Sequence, residues 1–300
     1  MAGSLELTFS IDQHLLYAYA IDGRYIEPIP VDAITLPIGS RYSVFVKLDQ
    51  PAGEYTVRAA NTGANQIING TGIMRYGAST YNQKKSSQPW ITEVGTNTTE
   101  NMAFLDETKV IPFPVEVPSL HVDRTYILNV NKIENSYTWT LGNHSYPQSN
   151  EEVTPLLFNR SSIPTKYTIT TLNNTWVDLI INVTTGGQPP HPIHKHSNKY
   201  FVIGSGSGAF RHHSVAEAVK DIPESFNLYN PQIRDTFFSP PANAGPSWLA
   251  MRYHVVNPGP FLLHCHIQPH LSGGMALAIM DGVDVWPHVP EGYELPAVSR

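Results

Sequence analysis

Apolar residues in this chain come in short alternating runs, and proline or glycine interrupts nearly every one. Tyr42, Val44, Val46 and Leu48 take every second position, as do Tyr126, Leu128 and Val130. Val177, Leu179 and Ile181 repeat the pattern, and so do Leu249, Met251, Tyr253 and Val255. Side chains of an extended strand alternate between its faces, so a period of two marks strands with one face buried. With 25 prolines and 21 glycines in 300 residues, such runs describe a turn-rich all-β fold, a sandwich or a barrel. Residues 5–9 read as one strand, 13–29 as two more around the turn Asp22-Gly23, and 54–58 as another. One short helix is expected, over residues 214–219.

A length of 300 fits two domains. The segment 110–118 (VIPFPVEVP) is too proline-dense for a central strand and reads as a linker. It separates a first β unit, residues 1–109, from a second, residues 119–300. The polar run 79–90 (STYNQKKSSQPW) reads as a mobile loop. The net charge of −6 includes no block of like sign, so nothing points to nucleic acid. No apolar run approaches the ~20 residues of a membrane span. A single cysteine excludes an internal disulfide. Triplets beginning at Asn69, Asn97, Asn143, Asn159, Asn173 and Asn182 match the glycosylation acceptor pattern. Together they point to a secreted glycoprotein. No signal peptide precedes the first strand, so an upstream segment is expected to be missing.

That cysteine lies in His264-Cys265-His266-Ile-Gln-Pro-His270-Leu-Ser-Gly-Gly-Met275, and a second cluster, His191-Pro-Ile-His194-Lys-His196, precedes it. Six of the 13 histidines fall in these two windows. On a strand His264 and His266 point one way and Cys265 the other, so one tripeptide can serve two metal centres back to back. His194 and His196 share a face, while His191 precedes the strand and is free to turn elsewhere. A thiolate with two imidazoles and a weak axial thioether describes a blue-copper electron-transfer site. Cys265, His191, His270 and Met275 supply that set, and Gly273-Gly274 allow the loop that returns the sulfur. His194, His196, His264 and His266 remain as an all-imidazole group, which suits copper without thiolate. Structural zinc sites use two or more cysteines, which argues against zinc. A cupin-like iron site would need a carboxylate soon after His196, and none occurs before Glu217.

HPIHKH and HCHIQPHLSGGM closely resemble copper signatures of the multicopper oxidases, the family of laccases, ferroxidases and ascorbate oxidase. The flanks 257–260 (NPGP) and 234–236 (RDT) agree. IDGRYIEP, RYSVFV and YTVRA resemble that family's middle domain, with a fungal texture. The resemblance implies cupredoxin-like Greek-key β-sandwiches, one partial (1–109) and one complete (119–300). It implies type-1 copper on Cys265, His191, His270 and Met275, type-3 ligands His196, His264 and His266, and type-2 ligand His194. Electrons would pass from Cys265 along the backbone to His264 and His266. The implied activity is oxidation of phenols, with Fe(II) as the alternative substrate, coupled to dioxygen reduction.

The family's trinuclear cluster takes eight histidines, and four of them come from a first domain absent here. No HxH motif precedes His194, and His14, His121 and His144 stand alone. The cluster is therefore half-liganded, and a separate chain would have to supply the missing HxH motifs. Otherwise the chain is a type-1 copper electron-transfer or binding module without oxygen chemistry. Gln268 stands where many members carry an acid, and an amide cannot donate that proton. Ser197 replaces a common glycine, and Lys195 an apolar residue. His212 and His213 read as solvated loop residues, His254 as structural, and His288 as part of a packed C-terminal tail. Arg234-Asp235 reads as a structural ion pair, and Trp139, Trp176 and Trp248 as core or sheet-face aromatics.

Overall fold

The computed structural model describes residues 6–62, 69–76, 87–133, 137–290 and 292–293. In the first unit the strands are β1 (Glu6–Ile11), β2 (Leu16–Ile21), β3 (Arg24–Val31), β4 (Ala33–Pro37), β5 (Tyr42–Val46), β6 (Gly53–Asn61) and β7 (Gly70–Tyr76). They form one sheet in the order β4-β1-β6-β7 and another in the order β3-β2-β5. Ile11, Leu16, Ile21, Ile26, Ile34 and Tyr55 fill the space between the two sheets. Asp22 and Gly23 both have positive φ, as a two-residue hairpin turn between right-twisted strands requires. Leu48 lies beyond the end of β5 and is exposed, so it drops out of the face that the alternation assigned to it.

The second unit contains β8 (Arg124–Ile133), β9 (Thr138–Leu141), β10 (Thr168–Thr170), β11 (Trp176–Val183), β12 (Pro192–Lys195), β13 (Tyr200–Ser207), β14 (Ile233–Arg234), β15 (Thr236–Phe238), β16 (Ser247–His254), β17 (Gly259–Cys265) and β18 (Ala276–Asp281). A six-stranded sheet, β14-β13-β16-β11-β8-β9, faces a five-stranded one, β10-β18-β17-β12-β15. Leu179, Met251, Tyr253, Leu263, Cys265, Met275 and Ile279 belong to the core between them. Both β11 and β16 are buried on both faces, which their alternation did not foretell. The reason is a second cluster in which Ile180, Trp248 and Ala250 meet Phe210, Val215 and Ala218.

Those last two residues belong to helix α1 (Val215–Asp221), whose N-cap Ser214 accepts from the Glu217 N–H. The expectation of a single helix fails. A second, α2 (Gln268–Ser272), starts with Pro269 in its first turn and stops at Gly273. The segment 110–118 follows the edge of β3: Glu27 N–H donates to Ile111 O, and Phe113 N–H to Tyr25 O. Val110 is buried in the first core. Proline is tolerated there because an edge needs fewer ladder donors. Residues 79–86 of the polar run lie outside the described residues. Its end is anchored, since Ser87 Oγ donates to Asp12 and Trp90 Nε1 to His14 O.

An ionic network, buried at Arg234 and Asp22, joins the units. Arg234 on β14 pairs with Asp22 at 2.8 Å and Glu107 at 3.0 Å, while Asp235 pairs with Arg41 at 2.6 Å and Lys199 at 2.6 Å. The structural role expected of Arg234 and Asp235 holds, but their partners are these groups rather than each other. Asn182 departs from the glycosylation pattern. It is buried in β11, donates to Asn129 and accepts from the Phe210 N–H, which leaves no room for a glycan. Asn69, Asn97, Asn143 and Asn159 are exposed. His212 is not a solvated loop residue, since its ring packs against Phe210 and lies 3.6 Å from Asp221. His254 stacks on Trp176 at 4.7 Å. In the C-terminal segment Trp286 makes the packing contact and His288 is exposed. No helix among the described residues is long and apolar enough to cross a membrane.

Candidate metal centre

Strand register builds the site. In the β12–β17 pair Ile193 faces Cys265 and His194 faces His264. Cross-strand partners point the same way, so Cys265 enters the core beside Ile193 while His194 and His264 emerge together on the opposite face. The alternation read from the sequence therefore separates thiol from flanking imidazoles, as expected.

On the core side the structure brings together His191, Cys265 and His270. Cys265 Sγ lies 3.6 Å from His270 Nδ1 and 3.9 Å from His191 Nδ1, and the two nitrogens are 3.2 Å apart. Bonds of about 2.3 Å to sulfur and 2.0 Å to nitrogen place ligand atoms roughly 3.3–3.8 Å apart around one ion. The three donors fit a single metal. Met275 is fully buried in the same core, and its carbonyl accepts from the Cys265 N–H. On the other face His194, His196 and His264 gather, with ring centroids 5.0 to 5.4 Å apart. The His266 ring lies 5.6 Å from both His194 and His264.

Electrostatics favour ligation. Burial, reinforced by neighbouring imidazoles, lowers the pKa of His191 to about 3. It lowers His194, His264 and His270 to about 4. These rings are neutral at pH 7 and have lone pairs to offer. Burial pushes the Cys265 thiol up to about 12, so a metal bound there would displace a proton.

Residues that the sequence did not single out set the ring orientations. Gln188 Oε1 lies 3.0 Å from His191 Nε2, which makes that nitrogen the donor and leaves Nδ1 free towards Cys265. His194 Nδ1 donates to Asp235 O at 3.0 Å and meets Thr236 Oγ1 at 2.8 Å, and His264 Nδ1 meets Cys265 O at 2.9 Å. Both leave Nε2 free. Trp139 is more than a core aromatic, because its ring lies 4.1 Å from that of His270 and 5.4 Å from that of His191. Gln188 stands three residues before His191, a proximity the sequence displays without showing its direction. Thr236 belongs to the flank 234–236 noted in the sequence, but nothing along the chain shows that it or Trp139 reaches a histidine.

The departures also find places. Ser197 has φ +69°, a left-handed conformation that explains why glycine is common there. Lys195 is wholly buried and paired with Asp281 at 3.2 Å. Gln268 is exposed on α2 and donates to Ser272 Oγ at 3.2 Å.

Comparison with known proteins shows the family of the chain. The multicopper oxidase family profile matches residues 129–284, and a second multicopper oxidase profile matches residues 1–79. Laccase abr2 of Aspergillus fumigatus is 45% identical over 96% of this chain and 50% of its own length. Multicopper oxidase elcG of Phaeosphaeria nodorum is 40% identical over 97% and 48%. Among solved structures the laccase from Botrytis aclada superposes with a TM-score of 0.75 at 27% identity, covering 95% of this chain and 50% of that one. Fet3p, a multicopper oxidase that functions in iron import, gives 0.71 at 20% identity over 98% and 56%, and so speaks for the fold alone. The chain spans about half the length of the curated relatives it matches. Its all-β architecture is that of these cupredoxin-like oxidases, and the chain belongs to the multicopper oxidase family.

Proposed function

We propose that this chain is the copper-binding part of a laccase-like oxidase that draws single electrons from phenolic substrates and delivers them to dioxygen. The observation that carries this reading is the back-to-back pair of donor groups on His264-Cys265-His266. Cys265, His191 and His270 would hold type-1 copper, and the buried Met275 would offer it a weak thioether donor. His196, His264 and His266 would serve as type-3 ligands and His194 as the type-2 ligand. Copper so bound would supply the one-electron chemistry between phenol and dioxygen. Cys265 is bonded directly to His264 and His266, so the two groups are linked by a few covalent bonds. The dry core around Cys265 keeps water from the sulfur. Phenol is favoured over Fe(II), because among the described residues no carboxylate bonds to His191 or His270. In this reading the protein is a secreted glycoprotein modified at exposed sequons.

The half-complete imidazole group favours a second reading. Among the described residues four histidines form it, His194, His196, His264 and His266, against the eight that the resemblance to the family implies. Without further imidazoles, from another segment or a separate chain, the protein would be a blue-copper electron-transfer or binding module. Copper per chain, visible absorption and paramagnetic resonance on one sample separate the readings. About four coppers with a coupled pair support the oxidase. One copper with an intense blue band supports the electron-transfer module. No blue band sinks both. Cys265→Ser should abolish the blue colour with the fold intact, whereas His194→Ala should retain it.

A further inference from the structure

Among the described residues the first unit contributes no candidate ligand, yet one of its turns forms a wall of the imidazole group. Between β4 and β5, Gly39 adopts φ +90° and lies directly against His266. A Cβ added at Gly39 would come within 2.6 Å of His266 Cδ2 and 3.0 Å of its Cγ. Contacts that short cannot persist, so the ring, as the movable partner, would have to swing away. The Gly39 carbonyl accepts from Arg41 at 3.3 Å and from Thr236 Oγ1 at 3.4 Å. That same hydroxyl lies 2.8 Å from His194 Nδ1. Arg41 reaches across with both nitrogens, 2.6 and 2.7 Å from the two carboxylate oxygens of Asp235, whose backbone oxygen accepts from His194. The Arg41 N–H is itself held by Asp22 at 2.9 Å.

We infer that Gly39 and Arg41 are positioning residues for the imidazole group. Gly39 sets the plane of His266, and Arg41 holds Asp235, whose carboxylate in turn accepts from Thr236 Oγ1 at 3.2 Å, where the two residues orient His194. The first unit thus shapes the metal-binding geometry of the second. This rests on the assignment of the imidazole group as a copper site. It adds that the site's geometry depends on a turn about 155 residues upstream of its nearest ligand.

The test titrates Cu(II) into the copper-free 300-residue chain and follows blue absorption and paramagnetic resonance together. Gly39→Ala should weaken copper in the imidazole group at least tenfold and change its hyperfine splitting. The blue thiolate band at Cys265 should keep its wild-type intensity. Arg41→Gln, at a side chain 55% exposed, should weaken the same signal several-fold. Gly23→Ala is the control, since Gly23 has φ +77° and no atom within 4 Å of an added Cβ. It carries the backbone strain without the ring contact and should match wild type at both signals. Wild-type affinity and splitting in Gly39→Ala and Arg41→Gln would overturn the inference while leaving the copper assignment standing. Wild-type chain that takes copper only at the thiolate overturns the assignment, and this inference with it. If Gly39→Ala loses the blue band too, the glycine is a general requirement of the fold. Arg41→Gln then decides alone, and retained affinity there overturns the inference.

Discussion

Lys195 lies between two proposed ligands with its side chain wholly buried, and replacing it with methionine tests how the core tolerates that charge. Lys195 Nζ is 3.2 Å from Asp281 Oδ2 and 4.2 Å above the Tyr253 ring. Asp281 also accepts from Thr171 and Tyr253 at 2.8 Å each and from Asn198 at 3.0 Å. Burial pulls the ammonium pKa down, and the Asp281 carboxylate opposes that shift by favouring the charged form. At an effective dielectric of about 20 the pair attracts by about 5 kcal/mol. Lys195→Met removes that attraction and leaves Asp281 with neutral donors only. The expected loss is about 3–5 kcal/mol. Pairing it with Asp281→Asn removes the stranded charge, and the double variant should return to within about 2 kcal/mol of wild type. Guanidinium unfolding of copper-free protein, followed by tryptophan fluorescence and circular dichroism, measures both, provided the probes coincide. A loss below about 1 kcal/mol for Lys195→Met, or simple additivity in the double variant, would refute the reasoning.

Gln188→Leu removes the acceptor that fixes the His191 tautomer, and copper affinity at the blue site should fall about 10- to 100-fold. An unchanged titration of the blue band would dismiss the role assigned to Gln188. Acid should destabilise the copper-free protein well above the carboxylate range. His191, His194, His264 and His270 titrate near 3 to 4 when folded but near 6.5 when unfolded. Between those values the unfolded chain binds protons that the fold refuses. Their contribution is therefore complete above pH 6.5 and lost as pH falls towards 4, by up to about 1.4 kcal/mol per histidine per pH unit. Urea midpoints at pH 7.5, 6.0 and 5.0 should fall in that order, and a flat series would contradict the burial argument. Copper uptake at Cys265 should strengthen with rising pH because it displaces the thiol proton, and proton release on mixing in weak buffer measures it.

Much of the candidate site was legible because it is local. Residues at consecutive strand positions must alternate faces, and that rule divided Cys265 from His264, while His266, one position past the end of β17, still comes to the His264 side. His191 could be set apart because it precedes β12 rather than lying in it. The sequence could not supply Gln188, Thr236, Trp139 or Gly39 as neighbours, since a side chain's direction depends on elements far along the chain. Ser197 and Lys195 looked like departures in the sequence. In the fold one is a left-handed backbone position and the other half of a buried ion pair. The missed helix α2 has a similar cause. Five residues opened by proline and closed by glycine have no apolar period to detect.

What the sequence determined by itself was periodicity and donor chemistry. Alternating runs require strands, dense proline and glycine require turns, and one thiol among six imidazoles calls for a metal with an affinity for both. Tertiary structure decided which faces are buried. The cluster around α1 covers the outer side of β11 and β16, so alternation understates their burial. It also decided that the first unit, which offers no candidate ligand among its described residues, presses Gly39 against His266 and clamps Asp235 with Arg41. Strand alternation is a property of neighbouring residues and can be read along the chain. Contacts across about two hundred positions depend on how two sandwiches dock, and no local pattern encodes that.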